Sequence, residues 1–305
     1  MDIQNYIDML GEIPEFLRKY LELNSLKRLQ KVGYFCGMDY ASVNVYNFGC
    51  YISRFHHSLT TALLTWRFTN SKKATLAALF HDIATPCFSH VIDYMNEDYE
   101  VQESTELKTE EILMNDVKLR SLLKEDRIRI QDISDFKQYK IVDNERPKLC
   151  ADRLDGIILT SFGWTKALGL EDVQKIIDDV EVFKNEEGEE ELCFKSREVA
   201  KKIVILNDLI NSECHSNYDT YMMMLLARLT REAIDEKAIT YDDLYMFNEN
   251  EIMNIFRKLA SKNDKFQQDL EIFETIKMED IPNISLPNIK NRIIKPLVAG
   301  VRYGE

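Results

Sequence analysis

Turn-forming residues are scarce in this chain, with ten Gly and six Pro spread over 305 residues. A sandwich or barrel of short strands needs turn signals about every 8–12 residues. That supply excludes a turn-rich all-β fold, while the abundant Leu, Ile, Lys, Glu and Asp point to long helices. Hydrophobic residues at 45% and charged residues at 30% describe a chain that can bury a sizeable core, which excludes disorder and fibrous repeats. The expected fold is mostly α.

Apolar spacing places helices over Ile13–Leu29, Phe55–Phe68 and Lys72–Asp82, with Asn70-Ser71 as stop and N-cap between the last two. Further helices are expected over Phe88–Met95, Glu103–Met114, Leu119–Glu125, Lys148–Leu159, Ser196–Leu209, Tyr218–Glu236 and Asp242–Leu259. Alternation in Asp179–Phe183 and Glu191–Phe194 around Asn185-Glu186-Glu187-Gly188 reads as one small peripheral β-hairpin. Without an internal repeat or a low-complexity linker, residues 1–305 read as a single domain with a core of about 25–235 and a C-terminal helical extension over 240–305.

The charge balance is 39 basic against 52 acidic residues, or −13, a surface that repels phosphate backbones and anionic lipids. Nucleic acid is therefore not expected as a standing partner. With no run of about 18 apolar residues and no basic, apolar start, the expectation is a cytoplasmic protein without a membrane partner. Six cysteines lack any CxxC spacing, which reads as thiols within the fold and neither disulfides nor a thiolate zinc site.

Four of the five histidines, His56, His57, His81 and His90, fall within 35 residues, and His81 is followed directly by Asp82. Imidazole and carboxylate are the usual ligands of borderline divalent cations, which need three or four donors converging from different elements. A two-helix hairpin would bring His56-His57, at the start of one helix, beside His81-Asp82, at the end of the next. Asp152 is the candidate third element, an acid interrupting the apolar face of Leu149–Gly156. Its alternatives are an ion pair with Arg153 or a helix cap.

Arg54-Phe55-His56-His57-Ser58-Leu59, His81-Asp82 and Asp152 together resemble the HD superfamily of metal-dependent phosphohydrolases. The run His81-Asp82-Ile83-Ala84-Thr85-Pro86-Cys87-Phe88-Ser89-His90 is similar to the deoxynucleoside triphosphate triphosphohydrolase branch, with the same spacing from His81 to His90. Weaker matches are Lys27-Arg28-Leu29 and Lys290–Pro296. The resemblance implies an HD-type helical bundle and metal ligands His57, His81, Asp82 and Asp152, with His57 and not His56 as the first. The implied cation is one divalent transition metal, Mn, Fe, Ni or Zn, with Mg a poorer match. His90, Asp93 and Glu103 are implied to orient ligands and move protons, and Arg54, Arg153 and Tyr218 to contact substrate. For Arg54 an internal ion pair is the alternative. The implied reaction is hydrolysis of a phosphate ester or anhydride in a small, nucleotide-derived substrate by a water that the metal activates, in a homo-oligomer.

Departures qualify the branch. Thr85 and Gln102 stand where two imidazoles are usual, and Tyr218-Asp219-Thr220-Tyr221 lacks a His-Lys pair that grips phosphates. A substrate smaller than a triphosphate follows, or, in another class, a degenerate member that binds metal or nucleotide as a sensor or oligomeric partner without turnover. Other features read plainly: His215 as a loop histidine, Met222-Met223-Met224 as core filling, Glu186–Glu191 as a solvated hairpin tip, and Lys290, Arg292, Lys295 and Arg302 as a surface cluster.

Overall fold

The computed structural model describes residues 2–100, 102 and 108–304. The chain is mostly helical. It opens with α1 (Ile3–Leu10), α2 (Glu15–Leu21) and α3 (Asn24–Arg28), followed by the central pair α4 (Arg54–Thr69) and α5 (Lys72–Phe80). Next come α6 (Val91–Met95), α7 (Thr109–Asn115), α8 (Val117–Glu125), α9 (Gln131–Ser134), α10 (Ala151–Gly163) and α11 (Leu170–Asp179). Strands β1 (Val180–Lys184) and β2 (Glu190–Phe194) precede α12 (Arg197–Cys214), α13 (Asn217–Asp235), α14 (Asp243–Met246), α15 (Glu249–Ala260) and α16 (Asp264–Thr275), and β3 (Leu297–Val298) and β4 (Val301–Arg302) end the chain. Among the described residues no helix is long and apolar enough to cross a membrane.

The central helix pair forms for local reasons that the sequence displays. Ser53 accepts from the His56 N–H, and the His56 ring accepts from the Ser53 N–H, a reciprocal cap at the start of α4. Asn70 closes α4 in the left-handed region, and the Ser71 hydroxyl accepts from the Ala74 N–H to start α5. This tight link lays α4 against α5, and α10 packs on α4. The starts of α4 and α10 therefore meet the end of α5.

The expected helix over Ile13–Leu29 is broken at Leu23, whose backbone is extended. Tyr20, Leu23, Leu26 and Leu29 are all fully buried, and a spacing of three cannot keep four residues on one face of an α-helix. Likewise Asp242–Leu259 divides into α14 and α15, because Asn248 and Glu251 form a capping box that starts a new helix. Residues 103–107 of the expected helix Glu103–Met114 lie outside the described residues, and α7 covers the remainder.

The hairpin is present, antiparallel from Val180↔Phe194 to Lys184↔Glu190, and belongs to a larger sheet. Strand β2 also pairs with β3 in parallel and β3 with β4 antiparallel, giving the order β1-β2-β3-β4. The acidic tip is not wholly solvated as expected. Glu191 is fully buried and accepts from Arg302 at 2.5 Å and from the Leu149 N–H at 3.0 Å, while Glu186 also takes Arg302. The cation comes from a strand 111 residues away, which no local reading of the hairpin foresees. Arg302 accordingly leaves the surface cluster to which its sequence neighbours assigned it.

After Asp280 the chain is extended, so the C-terminal stretch is helical only in its first part. This strap, 281–296, is held by polar side chains of α12 and α13. Asn217 accepts from the Ile284 N–H, the His215 ring meets the Ile289 carbonyl at 3.2 Å, and Asn211 accepts from the Arg292 N–H at 2.8 Å. Asn207 donates to the Arg292 carbonyl. Asn207, Asn211 and His215 are four residues apart and so stand in one row along α12. His215 thus lies in the turn after α12, as expected of a loop histidine, and there anchors the strap.

Two apolar clusters fill the interior, one around α4, α5 and α10 and the other around α6, α13, α15 and α16. Met222 and Met223 are core as expected, whereas Met224 is 39% exposed. Cys87, Cys150 and Cys193 are buried and Cys36, Cys50 and Cys214 half-buried, with no disulfide among them. A cavity of about 310 Å³ opens between the two clusters, with the histidine motif on one wall and the strap across another.

Candidate metal centre

The ring of His57, one turn into α4, and the ring of His81, just past α5, face one another with their Nε2 atoms 3.2 Å apart. Asp152, on the first turn of α10, places Oδ1 2.9 Å from His57 Nε2 and 3.5 Å from His81 Nε2. Three of the four expected ligands thus converge. Asp82 stands beside them with Oδ1 3.8 Å from His81 Nε2, its other oxygen accepting from Arg54 at 3.0 Å.

The opposite ring nitrogens decide what these histidines offer. His57 Nδ1 lies 2.7 Å from Asp155 Oδ2 and His81 Nδ1 2.6 Å from the Ala78 carbonyl. Both partners are acceptors, so the Nδ1 atoms carry hydrogens and each Nε2 is left with a lone pair. Two such lone pairs aimed at each other beside a carboxylate suit a divalent cation between them, and the donor set of two imidazoles and carboxylates fits a transition metal.

Without a cation the same atoms compete for protons. Burial pulls His57 down, but Asp152 and Asp155 outweigh it and raise the ring to about 10. Burial likewise opposes protonation of His81, and Asp82 and Asp152 raise it. Burial would raise Asp152, yet the two histidines hold it well below the usual carboxylate range.

Asp155 escaped the sequence reading of ligands and supports. It is fully buried and also accepts from Tyr6 at 2.6 Å and Thr60 at 2.8 Å, so it fixes the His57 ring. Its position three residues after Asp152 on the same apolar helix face was the available signal. His56 serves the α4 cap instead of the centre.

The other expected site residues fall as follows. His90 lines the cavity, its Nδ1 2.8 Å from a carboxylate oxygen of fully buried Asp93. Burial, opposed by Asp93, lowers the ring and keeps it neutral near pH 7. Glu103 lies outside the described residues. Arg54 lines the cavity but is already paired with Asp82 and Ser89, and it sits 4.9 Å from the Tyr34 ring. Arg153 lines it too, held by Asp143 and by the Lys148 and Asn144 carbonyls. The Tyr218 hydroxyl donates to Glu213 at 2.5 Å. Thr85 is buried with its carbonyl bound to Arg28, whereas Gln102 faces the cavity and accepts from Arg292 at 2.7 Å.

The far wall is aromatic. Phe35 and Phe48 stack with centroids 4.4 Å apart, flanked by Tyr46 and Trp164. Asp219 accepts from Tyr46 at 2.7 Å, and burial pushes it up to about 7.

Comparison with known proteins agrees with this geometry. The chain is 25% identical over 265 residues to metal-dependent phosphohydrolase cns2 of Cordyceps militaris, covering 80% of this chain and 70% of that protein. It is 23% identical over 221 residues to the uncharacterized protein YdhJ of Bacillus subtilis, covering 70% of this chain and 63% of that protein. A crystal structure of a hypothetical protein from Aquifex aeolicus superposes with a TM-score of 0.60 at 16% identity, over 87% of this chain and 73% of that one, a likeness of fold. Residues 54–155, which hold His57, His81, Asp82 and Asp152, match the HD domain family.

Proposed function

We propose that this protein is a metal-dependent phosphohydrolase that cleaves a phosphate ester in a small, nucleotide-derived substrate. The observation that carries the reading is the pair of buried Nε2 lone pairs fixed by Asp155 and the Ala78 carbonyl beside Asp152. A divalent cation held by His57, His81, Asp152 and Asp82 would supply Lewis acidity, lowering the pKa of water toward neutrality and offsetting phosphoryl charge.

The chain's own residues do the rest. Asp155 keeps His57 in one tautomer and orientation, and the Tyr34 and Phe136 rings pack against His57 and His81. Arg54, braced by Asp82 and Ser89, fixes that carboxylate and turns a positive charge toward the cavity. His90 holds Nδ1 against Asp93, leaving Nε2 to accept or return a proton at a substrate oxygen. Thr85, buried away from the cavity, takes no part in proton transfer.

The substrate class rests on the opposite wall. The stacked Phe35 and Phe48 with Tyr46 and Trp164 suit a flat ring, and the Asp219–Tyr46 pair offers polar edges for a base or sugar. The lack of a His-Lys pair in Tyr218-Asp219-Thr220-Tyr221 favours a nucleoside monophosphate over a triphosphate. The test is release of phosphate, pyrophosphate or triphosphate from a nucleotide panel with Mn, Fe, Ni, Co, Zn and Mg. Wild type is compared with His57→Ala and Asp82→Ala. Metal-dependent release of phosphate that both variants lose supports the reading. Bound metal without release of any product overturns it in favour of a sensor.

A further inference from the structure

The arginines expected to meet substrate are already engaged inside the protein: Arg54 with Asp82, and Arg153 with Asp143 and two carbonyls. Two other arginines line the same cavity without a carboxylate partner. The Arg146 guanidinium makes no hydrogen bond or ion pair among the described residues, although the side chain stands in the wall that holds Asp152. Arg292 donates to the Gln102 side-chain oxygen at 2.7 Å and to the Lys290 carbonyl at 3.0 Å, both neutral. Its backbone is fixed on both sides by Asn211 and Asn207, so the strap holds this side chain at the cavity.

Asp152 lies within electrostatic reach of Arg146 and Asp219 within reach of Arg292, yet neither guanidinium is ion-paired with a carboxylate among the described residues, which leaves donors for an anion in the recess. Arg146 stands within electrostatic reach of Arg153 and Arg292, so the three guanidinium groups are close neighbours. The arrangement lacks one component, an anion with several acceptor oxygens. Guanidinium forks match phosphoryl oxygens, and hydrogen bonds between opposite charges are the strong ones.

We propose that Arg146 and Arg292 form a two-armed clamp for the phosphoryl dianion of the substrate, one arm from the segment leading into α10 and the other from the C-terminal strap. The proposal rests on the cavity being a phosphoester site and assigns the residues that grip the anion. The strap then belongs to the binding site. Gln102 acquires a role that only an uncharged acceptor can fill: it holds Arg292 in place, whereas a carboxylate there would cancel the charge the clamp needs.

The test is isothermal titration of the full chain with inorganic phosphate and with pyrophosphate, metal content being measured on the same samples. Arg146→Gln and Arg292→Gln are each expected to weaken phosphate binding about tenfold or more, with metal content unchanged. Arg146→Lys and Arg292→Lys should recover part of the loss. Gln102→Glu should weaken binding without itself touching the anion. Arg146 is exposed, so its variants keep the test decisive should Arg292→Gln disturb the strap. Phosphate affinity unchanged in the Gln variants, or no binding of either anion by wild type at millimolar concentration, would overturn the clamp. Failure of the hydrolytic reading looks different: no metal-dependent release by wild type, with anion binding still falling in the arginine variants.

Discussion

Asp155 shows how much of this centre depends on residues that would touch no cation. Asp155→Asn keeps an acceptor for His57 but removes the charge that fixes the ring, and such supporting changes typically cost about 10–100-fold in metal affinity. Titration with Mn or Zn should show that loss with the helix content intact. A second prediction concerns pH. Asp219 is raised to about 7 in the fold, against about 3.9 unfolded, so between those values the folded state binds more protons. Stability should therefore fall as pH rises from about 4 to 7, by up to about 1 kcal/mol per pH unit, and level off above. Glu249, also raised to about 7 by burial, acts in the same direction. Asp219→Asn should flatten part of that slope in urea denaturation, and an unchanged slope would refute the assignment. The converging His57, His81 and Asp152 were legible in the sequence because histidine is rare here and an adjacent His-Asp pair rarer. Arg146 and Arg292 were not, because which arginines lack a carboxylate is settled by tertiary pairing alone.

At the scale of elements, some caps were legible and the breaks were not. Asn70 and Ser71 act as the expected stop and N-cap, and Ser196 caps the helix expected to start there, while the Ser53 cap went unread. Leu23 ends a helix because burial of four leucine and tyrosine side chains outweighs continuous hydrogen bonding, and that balance exists only against neighbouring helices. Helices α1, α9 and α11 were passed over, and α16 was expected only as part of the helical extension over 240–305; α16 buries only Phe266, Leu270 and Phe273, a thin signal in twelve residues. The start of α15 carries a prediction. Buried Glu249 accepts from the N–H groups of Gly33 at 2.9 Å and Phe88 at 3.0 Å, tying the loop after His81-Asp82 to the second apolar cluster. Glu249→Ala strands both donors and should cost roughly 2–4 kcal/mol in urea denaturation. A loss below about 0.5 kcal/mol would contradict this staple.

For the whole molecule, the chain's end completes its middle. Strand β3 extends the hairpin, Arg302 neutralises buried Glu191, and the strap between 281 and 296 crosses the cavity. Arg302→Ala leaves Glu191 charged, buried and unpaired, and should cost about 3–5 kcal/mol, part of which Glu191→Gln in the same chain restores. Thermal or urea melts of the single and double variants read this directly. The periodic helices were sufficient to indicate a helical bundle, but a sheet closed by the pairing of Cys193 with Leu297 leaves no local mark.

The central claim is that His57, His81 and Asp152 hold one divalent cation, and metal content by mass spectrometry after loading with Mn, Fe or Zn and exhaustive desalting tests it most directly. The account predicts one ion per wild-type chain, lost in His81→Ala and Asp152→Ala and retained in His56→Ala. Full occupancy in the His81 and Asp152 variants, or none in wild type with any of the three metals, would contradict it.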